Sequence, residues 1–187
     1  MGFYDSPESV EQYVEMAKGY DGRELIEKMR RYLQTGSTVL EIGMGPGVDL
    51  DLLRTYFNVT GSDASDVFIQ RYLATHPGAS VLELDAVTLD TDGRFDGIFS
   101  NKVLHHLNPT DQKTSFQRQS AILNPGGYAF HSFWYGKEVE EFEGLLFHQH
   151  TEDSLRSLAE EHFDVVELRR YTEMETDDSL FAVLKRR

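Results

Sequence analysis

The sequence predicts a single α/β domain built on an open, mostly parallel sheet that closes with an antiparallel hairpin. Three observations carry this. Short apolar runs alternate with helical patterns at a steady interval between residues 38 and 134. A turn punctuated by glycine follows the first of those runs. Near the C-terminus, two further strand-like runs are separated only by the acidic segment EMETDD (173–178), which is too short for a helical crossover. A strand–helix–strand rhythm implies right-handed crossovers and a parallel sheet.

The elements follow in order. FYDSPESVEQYVEMAKGYDG places Val10, Tyr13, Val14 and Ala17 in one stripe, with Met16 and Tyr20 adjoining. It reads either as a helix packed on the domain or as a lid over a binding crevice. GRELIEKMRRYLQ sets Leu25, Ile26, Met29 and Leu33 on one helical face. TVLEIG (38–43) is the first buried strand, and the helix VDLDLLRTY follows the glycines. FNVTGSD (57–63) and SVLELD (80–85) are strands that each end in an acid. Between them lies a helix with Phe68, Ile69, Tyr72 and Leu73 together. FDGIFSN (95–101) and GYAFHSFW (127–134) are the fourth and fifth strands. The helix joining them starts with Asn108 as cap and Pro109 in the first turn, and stops at Asn124-Pro125-Gly126-Gly127. HTEDSLRSLAEEHF is a last helix, and DVVELRRYT and SLFAVLKRR form the hairpin. One domain spans 1–187: an N-terminal lid or helix (1–21), a binding core (22–134), and a C-terminal helix and hairpin (135–187).

Composition narrows the function. At 187 residues with 40 % hydrophobic and 12 % aromatic residues, the chain buries a proper core. It has no cysteine, so disulfides, thiol chemistry and thiolate zinc sites are excluded. The net charge is −14, whereas a nucleic-acid backbone demands a cationic surface, so a small-molecule partner is expected. Apolar stretches are too short for a membrane span, and the N-terminal residues do not read as a secretion signal. Gly2 followed by Ser6 fits the bare N-myristoylation pattern, with nothing polybasic in support.

The turn after the first strand, VLEIGMGPGVDL, is the expected binding place, because ligands of open parallel sheets sit beyond the strand carboxyl ends. It lacks the lysine of a phosphate-binding P-loop. Against the dinucleotide pattern G-x-G-x-x-G, Gly43 and Gly45 are followed by Val48 at the third glycine, and Gly47 comes one place early. Glu41, Asp63 and Asp85 lie at successive strand ends, 22 positions apart each time. Carboxylates there accept hydrogen bonds from hydroxyls and amines, each worth about 1.5–3 kcal/mol, and repel phosphate. Two of the acids also have a plain local alternative: Asp63 as a cap for the helix that follows, Asp85 as the start of a loop.

VLEIGMGPG, GSDAS, LELDAVTL, FDGIFSNKVLHHL and LNPGG together resemble the class I S-adenosylmethionine-dependent methyltransferases, small and single-domain. The likeness covers residues 36–134, and the hairpin extends it. It implies a Rossmann-like three-layer αβα sandwich with a seven-stranded sheet. It implies that Gly43, Met44, Gly45 and Gly47 line the methionine part of the cofactor, with Glu41 organising the turn or reaching the amino group. Asp63 would hold the ribose hydroxyls beside Ala64, Asp85 and Ala86 would meet the adenine, and Asn101 would lie near the methionine. An N-terminal tyrosine approaches the cofactor in many relatives, and Tyr20 or Tyr13 would match.

Methyl transfer from such a donor is an in-line displacement in which alignment and exclusion of water do most of the work. A base is needed only for an acceptor proton of high pKa. Among His105, His106, His131, His148 and His150, His106 is the leading choice, at the mouth of the crevice after the fourth strand. His148 and His150 lack a third named ligand, so no metal is expected. Phe133, Trp134 and Tyr135 read equally as an acceptor wall or as core and rim. The expected function is methyl transfer to a small molecule by a cytoplasmic monomer or homodimer. Two other readings stay open: an NAD(P)-binding oxidoreductase, and a non-catalytic module that binds the cofactor.

Overall fold

A computed structural model describes residue 4 and residues 6–142 and 144–187. Gly2, and with it the myristoylation pattern, lies outside the described residues. Helices α1 (Pro7–Met16) and α2 (Arg23–Met29) precede the sheet. Then come β1 (Thr38–Ile42), α3 (Val48–Leu53), β2 (Asn58–Asp63), α4 (Asp66–Thr75), β3 (Val81–Glu83) and β4 (Phe95–Asn101). A 3-10 turn, Leu104–His106, leads to α5 (Pro109–Ile122) and β5 (Leu123–Trp134). The chain ends with β6 (Val139–Phe142), β7 (Leu145–His148), α6 (Glu152–Ala159), β8 (Phe163–Tyr171) and β9 (Ser179–Arg186).

The seven-stranded sheet has the order β3-β2-β1-β4-β5-β9-β8. β1 to β5 are parallel, and β9 runs antiparallel to both β5 and β8. This is the Rossmann-like sheet with a terminal hairpin that the sequence implies. The chain runs outward from β1 through β3, then returns to lay β4 on the other side of β1. The switch point therefore lies between Ile42 and Asn101, at the carboxyl ends of β1 and β4.

Two cores cover the two faces, and the period-two alternation of strands assigns residues to each. Leu40, Ile42, Ile98, Ala129, Phe133, Leu180 and Leu184 pack with Phe116, Ile122, Leu155 and Ala159 of α5 and α6. Val39, Phe99, Phe130, Phe181 and Val183 pack with Leu25, Ile26, Met29 and Leu53 of α2 and α3. Glu41, Asn101, Ser132, Trp134 and Ser179 fall on the second face by the same alternation.

Three local expectations need correction. Residues 135–150 contain an additional antiparallel hairpin, β6–β7, which lies outside the main sheet and packs on the Leu104–His106 turn. The third strand ends at Glu83, two residues before Asp85. α5 stops at Ile122, and Asn124 to Gly127 make an irregularity inside β5, where the β4 register jumps from Phe95↔Leu123 to Gly97↔Tyr128.

Candidate functional site

The glycine turn is shaped by what crowds it. Gly43, Gly45 and Gly47 all have positive φ (69°, 49° and 87°). A Cβ on Gly43 would lie 2.6 Å from both Val103 methyls, and one on Gly47 would lie 2.3 Å from the Tyr72 ring. At Gly45 a Cβ would have one close neighbour among the described residues, the Tyr13 ring at 3.8 Å. Gly45 thus presents its backbone toward α1, while its neighbours are locked by packing.

Asp63 joins β2 to this turn. Its Oδ2 accepts from Gly45 N–H at 2.9 Å, and its Oδ1 accepts from Ser65 N–H at 2.9 Å. Burial pushes its pKa up, and those backbone donors partly hold it down. Ser65 rather than Asp63 caps α4, its hydroxyl accepting from Phe68 N–H. Ala64 beside it is exposed.

Glu41 is buried, and its Oε2 has no hydrogen-bond partner. Burial raises its pKa well above the usual carboxylate range, and the charges of Asp49, Asp63 and Asp51 add to the shift. An unpartnered buried carboxylate oxygen in an acidic cleft fits a cationic ligand group. Asp49, in the first turn of α3, ties the cleft together: Oδ1 accepts from Gly22 N–H at 2.6 Å, and Oδ2 accepts from Asn101 Nδ2 at 2.9 Å. Asn101 in turn accepts from the Ser132 hydroxyl at 2.5 Å. Met44 is buried under β2, its sulfur 2.8 Å from where a Gly61 Cβ would lie.

The N-terminal segment lies over this cleft. The Ser65 hydroxyl donates to Tyr4 O at 2.6 Å, Glu11 pairs with Arg71, and the Tyr4, Tyr13 and Phe68 rings pack with centroids 5.4–5.8 Å apart. Burial raises the Tyr13 phenol, with Asp63 and Asp49 adding to it. Tyr13 therefore faces the acids, whereas Tyr20 is 48 % exposed.

Asp85 serves its own turn. Its Oδ1 accepts from Val87 N–H at 2.8 Å and Thr88 N–H at 3.0 Å. Ala86 is fixed through its carbonyl, which accepts from Ser115 at 2.6 Å. The structure shows no hydrogen bond linking Asp85 to Asp63 or the glycine turn among the described residues.

The histidines separate by environment. His131 is a core residue between the Ser100 hydroxyl and Gln119 Oε1, both at 2.8 Å, and burial lowers its pKa to about 3. His150 bonds Gln112 and Ser154, and burial lowers it to about 4. His105 is buried, with neither ring nitrogen partnered among the described residues. His106 is half-buried beside Tyr4 and Phe147, with Nδ1 2.7 Å from Leu146 O. A carbonyl only accepts, so Nδ1 carries the proton and Nε2 the lone pair. Burial lowers its pKa, which keeps the ring neutral. The His148 and His150 rings lie 4.6 Å apart, tilted by 34°, and no group of three potential ligands stands around them among the described residues.

Phe133 belongs to the core and Tyr135 stacks on Arg170. Trp134 faces Lys102, whose ammonium sits 3.3 Å from the ring centroid. Asp49, Ser132, Lys102 and Glu173 were not expected here. For Asp49 a signal existed, an acid in the first turn after the glycines; the other three come together only through strand register. Two open depressions, one around Glu27, Arg30 and Tyr32 and one around Thr38, Arg54 and Asn58, do not adjoin the glycine turn. No helix among the described residues is long and apolar enough to cross a membrane.

A family model described as a methyltransferase domain matches residues 15–170. No curated protein matches the sequence. Among solved structures, the chain is similar to the Burkholderia thailandensis 1,6-didemethyltoxoflavin N1-methyltransferase with bound 1,6-didemethyltoxoflavin and S-adenosylhomocysteine. The TM-score is 0.81 at 22 % identity, over 96 % of this chain and 84 % of that one. It is also similar to the N-methyltransferase NodS of Bradyrhizobium japonicum in complex with S-adenosylhomocysteine (TM-score 0.69, 21 % identity, 95 % and 98 % covered). A TehB-like methyltransferase of Corynebacterium glutamicum gives a TM-score of 0.77 at 20 % identity, with 97 % and 100 % covered. At these identities the likeness speaks for the fold.

Proposed function

The chain belongs to the methyltransferase-domain family, and on that premise we propose that it transfers a methyl group from S-adenosylmethionine to a small-molecule acceptor. The observation that carries the reading is the Asp63 carboxylate bonded to Gly45 N–H, which makes strand-end acid and glycine turn one wall. The unpartnered Glu41 oxygen behind that wall supports a positively charged ligand.

When bound, S-adenosylmethionine supplies a methyl group already activated on a cationic sulfur. The protein's own work is placement. Asp63 keeps carboxylate lone pairs beyond those used by Gly45 and Ser65, enough for ribose hydroxyls beside Ala64. Glu41 answers an ammonium group, while Gly43, Met44, Gly45 and Gly47 form the floor. Asn101, oriented by Asp49 and Ser132, stands at the methionine end. Asp85 uses only Oδ1 on its own turn, leaving Oδ2 for an adenine amino group beside Ala86. Tyr13 takes the place over the glycines that either N-terminal tyrosine was expected to fill. Alignment and exclusion of water by the lid provide most of the acceleration. His106, with its Nε2 lone pair, is the base for an acceptor whose proton must leave.

An acceptor of small size accords with the acidic chain and with the small molecule bound to the Burkholderia relative. Calorimetric titration separates the readings. S-adenosylhomocysteine should bind and NADH should not; the reverse result would make the protein a dinucleotide enzyme. Binding with no methyl-donor turnover on any acceptor would make it a binding module. His106→Ala should lower turnover at least tenfold and leave cofactor affinity within twofold, and full activity would remove His106 from the mechanism.

A further inference from the structure

On the other side of Asn101 the structure builds a second polar cluster that cofactor placement does not use. Lys102 follows β4 with a left-handed backbone (φ 55°). Its ammonium donates to the Ser179 hydroxyl at 2.6 Å, pairs with Glu173 Oε2 at 3.0 Å, and lies on the Trp134 ring. Three ammonium protons thus face three partners. Glu173 Oε2 also accepts from the Tyr171 hydroxyl at 2.9 Å, while the Ser179 hydroxyl donates its one proton to Asp178 Oδ1 at 2.9 Å and lies 3.4 Å from Glu173 Oε2. Its other oxygen, Oε1, accepts nothing among the described residues, although the side chain is only 19 % exposed.

The loop that carries Glu173 is braced. Asp178 accepts from the N–H groups of Glu173, Met174 and Glu175 at 2.9–3.0 Å, and its own carbonyl accepts from Tyr135 N–H at 2.7 Å. Strand register places the loop at the carboxyl edge of the parallel strands, because Ser179 pairs with Trp134 and Ser132 with Asn101. The Glu173 charge reaches both Tyr13 and Asp49, two residues of the cofactor cleft. A fixed carboxylate is thus presented beside the methionine end, with one oxygen saturated and one open.

We infer that Glu173 binds the methyl acceptor and that the acceptor carries an amino group, held by Glu173 Oε1. Lys102 and Tyr171 are positioning residues: they saturate Oε2 and so aim Oε1, with Ser179 bracing the Lys102 ammonium. Lys102 neutralises part of the Glu173 charge, but Asp49 and Asp63 keep the cleft acidic, which disfavours a carboxylate-bearing acceptor. The inference rests on the methyltransferase reading.

The test uses protein saturated with S-adenosylhomocysteine, titrated with benzylamine, benzyl alcohol and benzoate. These share one aromatic body and differ in the polar group. Benzylamine should bind at least tenfold more tightly than the other two. Glu173→Gln should abolish that preference and leave S-adenosylhomocysteine affinity within twofold, while loss of the Lys102 pair lowers the melting temperature. A merely structural ion pair predicts the same lowered melting temperature with the probe preference unmoved. Equal binding of all three probes, binding of none, or a preference for benzoate overturns the inference, whatever the variant does. Failure of S-adenosylhomocysteine to bind would instead strike the methyltransferase reading itself.

Discussion

The two walls of the cleft are made in different ways. The wall at β1 and β2 is local: Gly45 and Asp63 are 18 positions apart, and three glycines and two acids shape it by backbone geometry and burial. The wall at β4, β5 and β9 is assembled from distant segments. Lys102 and Ser179 are 77 positions apart, and Ser132 reaches Asn101 from 31 positions away. The first wall is backbone-rich: its turn N–H groups are taken by Asp63, Ser62 and Met44, and the Asp63 carboxylate keeps further lone pairs. The second consists of side chains on strand ends and one braced loop, and a substitution there changes what is recognised without changing the sheet. On the proposed function, the cofactor belongs to the local wall and the acceptor to the assembled one.

Substitutions sharpen or break that contrast. The largest effect is expected at Gly47, where φ is 87° and a Cβ would meet the Tyr72 ring at 2.3 Å. Gly47→Ala should cost about 2–4 kcal/mol of stability, from left-handed backbone and overpacking together. Urea unfolding would measure it, and a loss under 1 kcal/mol would show that the local wall is pliable.

Glu41→Gln comes next, with the opposite sign. The folded state raises the Glu41 pKa through burial, so above pH 4.5 the folded protein holds a proton more tightly than the unfolded chain does. Stability associated with Glu41 is therefore full below pH 4.5 and is lost as pH rises toward its folded value. Removing the charge should stabilise the ligand-free protein by about 1 kcal/mol at pH 8, with the gain vanishing near pH 4, while weakening S-adenosylhomocysteine binding. Melting curves across that range would check it; a gain largest at low pH would contradict the burial argument.

The smallest effect is expected at Tyr20, which is exposed, whereas Tyr13 is shifted by burial and by the acids of the cleft. Tyr20→Ala should leave cofactor affinity within twofold by calorimetry. A tenfold loss would put Tyr20 back on the cofactor wall in place of Tyr13.

What the sequence showed of this molecule follows the same division. The parallel order of β1 to β5 and the closing hairpin were legible because period-two runs, glycine turns and a short acidic connection are local signals. Asp63 was legible as a strand-end acid, and its bond to Gly45 lies within one β–α–β unit. Asp85 illustrates the limit, since a strand-end acid and a turn-closing acid read alike until the N–H groups of Val87 and Thr88 are located. His131 looked as available as His106, yet the β4–β5 register buries it between Ser100 and Gln119. Glu173 sat in a segment read only as an acidic connection; its partnership with Lys102 exists because β9 pairs antiparallel with β5. The β6–β7 hairpin escaped because residues 139–148 interleave acids and apolar residues without a turn signal stronger than one glycine.

The central claim is that the Asp63 carboxylate, set against the glycine turn, grips the cofactor. Isothermal calorimetry of Asp63→Ala with S-adenosylhomocysteine tests it most directly. The account predicts an affinity at least tenfold weaker, with the fold retained by circular dichroism; a folded variant with wild-type affinity would contradict it.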